Sequence, residues 1–153
     1  MNSIVLLITM IVLWVIVIAS SYQRLYTMPK WFENPPLSFE RIRRQSKASQ
    51  LFWLPVTGLS LICLIAGLVM NWQDIAVRSY IFAALACFVL NAVSTGVYFV
   101  KEILAFAKMP VDAPQTPELV ARTNTWLTWT TLRNVLQIIA AVSATIAYQH
   151  FIQ

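Results

Sequence analysis

The segment from Ile4 to Ser21, IVLLITMIVLWVIVIASS, contains eighteen consecutive residues without a single charged side chain. The hydrocarbon core of a bilayer is ~30 Å thick and takes about 20 residues of helix to cross. Three further segments meet this requirement, at 51–70, 80–100 and roughly 132–148. The sequence therefore predicts four transmembrane spans, and the fold class we expect is an all-α, integral membrane four-helix bundle.

The composition of the whole chain supports the same prediction. Of its 153 residues 59% are hydrophobic and 11% are charged, and the mean hydropathy is +0.68. A soluble domain is about half apolar and about one quarter charged. We therefore expect residues 1–153 to form one four-span transmembrane domain, without room for a separate soluble catalytic domain.

Positive charge is concentrated in two of the connecting segments. Segment 22–50 carries Arg24, Lys30, Arg41, Arg43, Arg44 and Lys47. The loop between the second and third spans carries only Arg78. The positive-inside rule then places loops 22–50 and 101–125 in the cytoplasm and both termini outside the cell, in the inner (plasma) membrane. Because residues 1–3 lack the basic character of a secretory signal, we expect the first span to be retained.

The basic character of the chain also indicates its surroundings. The pI is about 9.6. Topology and contact with anionic membrane lipids explain this value, and binding to nucleic acid is disfavoured. A homo-oligomer or another membrane protein partner stays open.

The connecting segments contain local structure signals. The prolines in Met28–Pro36 predict a turn at the membrane interface rather than a helix. Ser38 is in position to cap a helix over 39–50 that lies at the headgroups or continues into the second span. Thr116-Pro117-Glu118 has the form of a helix start, which predicts that a long helix begins before the fourth span.

Two of the predicted helices carry polar stripes. In the third span, helical offsets of 3, 4, 7 and 11 connect Asn91, Ser94, Thr95, Tyr98 and Glu102. On the last helix, offsets of 4, 7, 11 and 15 connect Arg122, Trp126, Trp129, Arg133 and Gln137. Because the two helices are consecutive and antiparallel, we expect Glu102 to meet Arg133. The candidate site is the seam between them, made of Asn91, Tyr98, Glu102, Trp126, Trp129, Arg133 and Gln137.

Two interpretations of this seam compete. Polar residues inside a membrane are costly, so they indicate a functional site by default. In the first interpretation, the amides and the Glu102–Arg133 pair only hold the helices together through interhelical hydrogen bonds and an ion pair. In the second, the seam lines a pocket for a lipophilic small molecule. Helical periodicity alone does not show whether the seam is hollow.

Several kinds of chemistry have no matching residues in the sequence. His150 is the only histidine, so a histidine-ligated haem or metal site is not expected. Cys63 and Cys87 are isolated and form no CxxC pair, and both are expected to be packing residues. No glycine-rich phosphate loop or nucleophile elbow occurs. We therefore expect no metal and no cofactor.

Two short motifs are similar to those of a known family. The segments Thr95-Gly96-Val97-Tyr98-Phe99-Val100 and Trp126-Leu127-Thr128-Trp129-Thr130-Thr131-Leu132-Arg133-Asn134 resemble small four-span membrane proteins that include the anthrone oxygenases and many bacterial members. The resemblance covers about the last 60 residues by motif and the first half only by hydropathy. It implies a four-helix bundle with Trp, a spacer and Arg at the head of the last span. Where the family often has Asn or His, two residues before the arginine, this chain has Thr131.

Three functions remain compatible with the sequence. A binding or accessory membrane protein without catalysis is the favoured one. The family resemblance suggests a cofactor-independent oxygenase for a lipophilic phenolic substrate, with Arg133 stabilising an oxyanion and aromatic side chains stacking on the rings. A transporter or channel subunit is the third. The sequence leaves open whether the protein is an enzyme.

Overall fold

A computed structural model describes residues 2–153 of the chain, apart from the side chains of residues 46 and 47. Its helices are α1 (Asn2–Tyr22), α2 (Met28–Trp31), α3 (Glu40–Met70), α4 (Ile75–Ser94), α5 (Val100–Lys108) and α6 (Pro117–Ile152). No strand occurs within residues 2–153. The prediction of an all-α fold is confirmed.

Two wide helical turns join the shorter helices to the longer ones. A π-type turn at Gln23–Thr27 connects α1 to α2, and a second at Thr95–Phe99 connects α4 to α5. Four helical stretches are long and apolar enough to cross a membrane: Asn2–Trp31, Ala48–Met70, Ile75–Lys108 and Pro117–Ile152. Each predicted span lies within one of these stretches. The protein is therefore a helical membrane protein of the multi-pass type.

The helix ends confirm one predicted signal and correct two others. The Thr116 hydroxyl accepts a hydrogen bond from the Leu119 amide at 3.2 Å, and α6 begins at Pro117 as predicted. Ser38 does not cap α3; its hydroxyl donates to the Trp31 carbonyl oxygen at 2.7 Å instead. The segment predicted as a turn without helix contains one helical turn, α2. The proline at its second position is compatible with a helix start, which explains the difference.

The bundle has two ends, a terminal end and a loop end. The terminal end contains residue 2, the chain's C-terminus and the turn at residues 71–74, and the Asn2 amide donates to the Met70 carbonyl oxygen there at 3.0 Å. The loop end contains segments 22–50 and 101–125. In the terminal half, small side chains on α6 allow close helix packing. The buried core there consists of Leu6, Leu13, Val17, Leu64, Val77, Ile81, Ala84, Ala140, Ala141, Ala144 and Ala147.

An aromatic cluster fills the loop end. Its buried members are Met28, Trp31, Phe39, Ile42, Phe99, Phe106, Leu119 and Trp126, and the half-buried Phe32 packs against them. The Phe32 ring meets the rings of Phe106 and Trp126 edge-on, at centroid distances of 5.4 and 5.3 Å. These geometries are among those that aromatic pairs prefer.

Arg43 connects the two loop segments. Its guanidinium donates to the carbonyl oxygens of Ala107, at 2.7 Å, and Met109, at 2.6 Å. It also pairs with Glu40 at 2.7 Å, and Arg44 approaches the same carboxylate at 3.2 Å. Hydrogen bonds from Arg44 and Arg43 lower the pKa of the Glu40 carboxyl from its ordinary value of 4.5. The start of α3 is thereby fixed to the end of α5.

Candidate functional site

A cavity of about 360 Å³ extends from the loop half of the bundle to the edge of the terminal core, where Leu13 and Ala140 line it. All four membrane-crossing stretches contribute to its wall. Its polar and aromatic lining residues include Gln23, Trp31, Gln45, Ser49, Trp53, Asn91, Thr95, Phe99, Trp126, Arg133 and Gln137. The volume falls in the range of small-molecule binding sites, ~300–1,000 Å³. Part of the seam predicted from sequence therefore borders this space, namely Asn91, Trp126, Arg133 and Gln137.

Arg133 is the cationic group of this cavity. Its Nη1 donates to the Thr95 hydroxyl oxygen at 3.3 Å, and its guanidinium carbon lies 4.3 Å from the centroid of the Phe99 ring. The π-type turn that begins at Thr95 and ends at Phe99 presents both partners to the same guanidinium. No described carboxylate lies within salt-bridge distance of Arg133, and its Nε is buried without a hydrogen-bond partner in the described structure.

Two other lining residues carry buried polar atoms that lack a partner. Trp126 is 3% exposed, and its indole Nε1 donates no hydrogen bond to any described residue. The side-chain oxygen of Asn91 is likewise without a donor in the part of the chain that is described. Three residues of the cavity wall therefore each have one buried polar atom without a described partner: the Nε of Arg133, the Nε1 of Trp126 and the side-chain oxygen of Asn91.

The remaining polar lining atoms include groups that are already bonded within the bundle. The Ser20 hydroxyl donates to the Gln137 side-chain oxygen, which connects α1 to α6. The Trp31 indole donates to the side-chain oxygen of Gln45 at 2.7 Å, which connects α2 to α3. These two bonds hold neighbouring elements of the wall together.

Four of the seven predicted site residues line this cavity, and three do not. The four are Asn91, Trp126, Arg133 and Gln137. Trp129 lies at the edge of the buried face of α6 and is 52% exposed. Tyr98 is half-buried in the aromatic cluster, with its ring centroid 5.1 Å from that of Phe99. Both point to roles in packing or membrane contact.

The predicted Glu102–Arg133 pair is wrong. Glu102 accepts two hydrogen bonds from Arg122, at 2.6 and 2.9 Å. Arg133 lies level with Thr95, seven residues before Glu102, and seven residues correspond to roughly 10 Å along a helix. A π-type turn separates the two positions and adds a further rotation, because it contains more residues per turn than an α-helix. The regular periodicity that predicted the pair does not extend past Thr95.

Several lining residues were not among the predicted site residues. Thr95 was assigned to the polar stripe only, and Phe99 carried no polar signal. Gln23 and Gln45 come from segment 22–50, where the sequence indicated only a basic, lipid-contacting loop. Cys87, expected to be a packing residue, also lines the cavity. Among the described residues no cluster of His, Cys, Asp and Glu side chains is suited to hold a metal ion.

Comparisons with protein-family models, curated proteins and solved structures give no match for this chain. The resemblance to the anthrone oxygenase family therefore rests on the quoted motifs alone. Within them, Arg133 lines the cavity, whereas Thr131 is exposed and accepts a hydrogen bond from Arg24 at 3.0 Å. The position at which this chain departs from the family pattern thus lies outside the cavity.

Proposed function

We propose that the protein is a membrane binding protein whose cavity holds an amphipathic small molecule, with the anionic group of that molecule at Arg133. One observation carries this proposal: a partly buried arginine lines a cavity and has no carboxylate partner among the described residues. The role is binding or accessory, and no residue is assigned to catalysis.

The free-energy cost of placing Arg133 and unpaired polar atoms in the membrane favours a site that binds a ligand. A charged side chain at the centre of a membrane helix costs about 2.5–3.5 kcal/mol on insertion scales, and a buried polar atom without a partner costs about 1–3 kcal/mol. Arg133 and Trp126 both line the cavity, and each has one buried donor without a described partner. A carboxylate or other oxyanion in the cavity would neutralise the charge of the guanidinium, so the cost of placing that charge in the membrane would be offset when the ligand is bound.

The rest of the lining supports an apolar body for the ligand. Leu13, Ile16, Leu54, Phe88 and Ala140 contribute aliphatic and aromatic surface to the cavity. Binding sites of this kind are mostly apolar, with a few polar groups that fix the ligand's orientation. A molecule with one anionic group and an apolar remainder complements both parts of the wall.

The orientation that we propose places the loop end in the cytoplasm and both termini outside the cell, in the plasma membrane. The distribution of Lys and Arg supports it. A C-terminal alkaline phosphatase fusion should be active and a C-terminal fluorescent protein fusion dark. A fluorescent C-terminal fusion together with an inactive phosphatase fusion would show that the orientation is the opposite one.

The binding test compares two arginines on the same helix. Full-length protein in detergent is melted with and without palmitate and anthraquinone-2-carboxylate, two anions with different apolar bodies. At least one should raise the melting temperature of the wild type and of Arg122→Gln, because Arg122 is not a lining residue. The shift should disappear in Arg133→Met. Equal shifts in Arg133→Met and the wild type would overturn the proposal, and so would the absence of any shift with either anion.

A further inference from the structure

We infer that the loop end of the cavity is covered by a movable cap, which opens toward the water at that end. The cap consists of residues 28–50, which contain α2 and the first part of α3, together with α5. It moves relative to α6 by bending of the helices at positions that border the cavity. Opening of the cap does not depend on which ligand binds at Arg133.

The wall between the cavity and the loop end is closed in the structure. The lining residues that belong to the aromatic cluster are each at most 6% exposed; they are Met28, Trp31, Ile42, Phe99 and Trp126. The first three belong to the cap, and Trp126 belongs to α6. A molecule in the water at this end therefore has no path through this wall while the cap and α6 stay in contact.

Three of the four membrane-crossing stretches have a weak point where they border the cavity. The first contains the π-type turn Gln23–Thr27 and the third the π-type turn Thr95–Phe99, and both turns contribute lining residues. In α3, Pro55 lies between the lining residues Leu54 and Thr57 and removes one backbone hydrogen bond of the helix. Prolines and π-type turns are the usual places at which helices bend. The fourth stretch, α6, is an unbroken α-helix of 36 residues, so the cap can tilt against a straight partner.

Hydrogen bonds connect the parts of the cap to one another. The bond from the Trp31 indole to the Gln45 side chain connects α2 to α3. The two bonds from Arg43 to the carbonyl oxygens of Ala107 and Met109 connect α3 to the end of α5. Because α2, α3 and α5 are connected in this way, we expect them to move as one unit.

The contacts between the cap and α6 are weaker than those within the cap. Glu102 on α5 pairs with Arg122 on α6, and their side chains are 20% and 43% exposed, so water can replace the pair. The Phe32 ring of the cap meets the Trp126 ring edge-on at 5.3 Å. Separating these rings breaks no hydrogen bond of the Trp126 indole, because its Nε1 has no described partner. Opening therefore requires the loss of one partly exposed ion pair and of ring contacts.

The test measures how fast a charged thiol reagent reaches Cys87. Cys87 is half-buried and lines the cavity, whereas Cys63 is 8% exposed and is not a lining residue. The full-length Cys63→Ala parent in phosphatidylcholine nanodiscs is treated with sulfonatoethyl methanethiosulfonate, and labelling is followed by mass spectrometry. Because the sulfonate does not cross lipid, we expect the reagent to reach Cys87 only when the cap opens.

Stiffening the weak points should slow the labelling. Gly96→Ala adds a methyl group in open space on the second π-type turn and restricts its backbone, and Pro55→Ala restores the missing hydrogen bond of α3. Each variant should label at least about threefold more slowly than the parent. Gly58→Ala is the matched control, since it makes the glycine-to-alanine change in open space within regular α-helix. Its rate should stay within about twofold of the parent.

Weakening the contact with α6 should have the opposite effect. Glu102→Gln removes the charge that pairs with Arg122, so labelling should be about twofold faster or more. Glu118→Gln is the matched control, because Glu118 is exposed and forms no ion pair with a described residue. Its labelling rate should equal that of the parent.

The cap is overturned by either of two results. One is an equal labelling rate in the parent, Gly96→Ala, Pro55→Ala and Glu102→Gln. The other is complete protection of Cys87 in all of them while the denatured protein is fully labelled. The three substitutions lie at separate places and their folding is checked by melting temperature, so one misfolded variant leaves two that decide. Neither result would affect the binding test with Arg133→Met, which measures affinity and not access.

Discussion

The terminal half and the loop half of the bundle are packed in opposite ways. In the terminal half, Ala140, Ala141, Ala144 and Ala147 follow one face of α6, and each is at most 2% exposed. Small side chains at helix contacts let the backbones approach closely, which is the usual means of association in membranes. In the loop half, large aromatic side chains close the end of the bundle, and the helices behind them enclose a cavity.

This difference in packing suggests that the terminal half provides stability and the loop half provides the binding site. Among the described residues, the buried core of the terminal half is apolar, whereas the loop half contains empty space and buried donors without described partners. Such a site lowers stability and is retained where binding requires it. The terminal half is therefore expected to hold the bundle together while the loop half accommodates a ligand.

The largest expected effect is a loss in the free energy of unfolding when a core isoleucine is replaced by alanine. It is compared with the same substitution at the cavity wall. Ile81 is 0% exposed in the terminal core, and Ile16 is 3% exposed at the cavity wall. Ile81→Ala should lower the free energy of unfolding by about 2–5 kcal/mol, because it removes a fully packed side chain. Ile16→Ala should cost clearly less, since a side chain facing a void has fewer contacts to lose. Reversible unfolding in mixed micelles measures both values.

Equal losses in the two variants would contradict the comparison. They would mean that the cavity wall is as tightly packed as the terminal core. Adding palmitate provides an internal control, because a bound chain should increase the loss caused by Ile16→Ala and leave that of Ile81→Ala unchanged.

The next expected effect is a gain in the free energy of unfolding. Arg133→Met replaces a partly buried cation that lacks a carboxylate partner among the described residues with an apolar side chain. Replacing buried charge with packed apolar groups is often neutral or stabilising by about 1–4 kcal/mol. We expect the ligand-free variant to be more stable than the wild type while losing ligand binding. A destabilised Arg133→Met, measured by the same unfolding assay, would show that Arg133 is structural.

Much of the fold could be predicted from the sequence, because membrane spans depend on length and hydropathy alone. The start of α6 was also predictable, since Thr116-Pro117 is a local signal. The cavity was not, because hydropathy does not show whether facing side chains fill the space between helices. On α6 the regular helix made Trp126, Arg133 and Gln137 predictable as one face. On the preceding stretch, the π-type turn at Thr95–Phe99 changes the register, so Glu102 pairs with Arg122 instead of Arg133.

A smaller effect tests this corrected register. Glu102 and Arg122 form a two-bond pair at the loop end, partly exposed, so a double-mutant cycle with Glu102→Gln and Arg122→Gln should give a coupling of about 0.2–1 kcal/mol. The matched cycle with Glu102→Gln and Arg133→Gln should be additive within about 0.3–0.5 kcal/mol. Coupling in the second cycle and additivity in the first would restore the pair expected from regular periodicity.

The smallest effect concerns the contact that closes the loop end. Because Arg44 and Arg43 lower the pKa of Glu40, this carboxylate stabilises the fold at neutral pH, and its contribution is lost as the pH falls below 4.5 through the lowered value. Wild type should therefore be slightly more stable than Glu40→Gln at pH 7, and the difference should vanish near the lowered pKa. The effect is small because Glu40 is exposed to solvent and Arg43 keeps its bonds to the Ala107 and Met109 carbonyls when Glu40 is protonated. Asp112→Asn, an exposed loop substitution, controls for the loss of one negative charge. If the difference between wild type and Glu40→Gln instead grew on acidification, Glu40 would not stabilise the loop end through its charge.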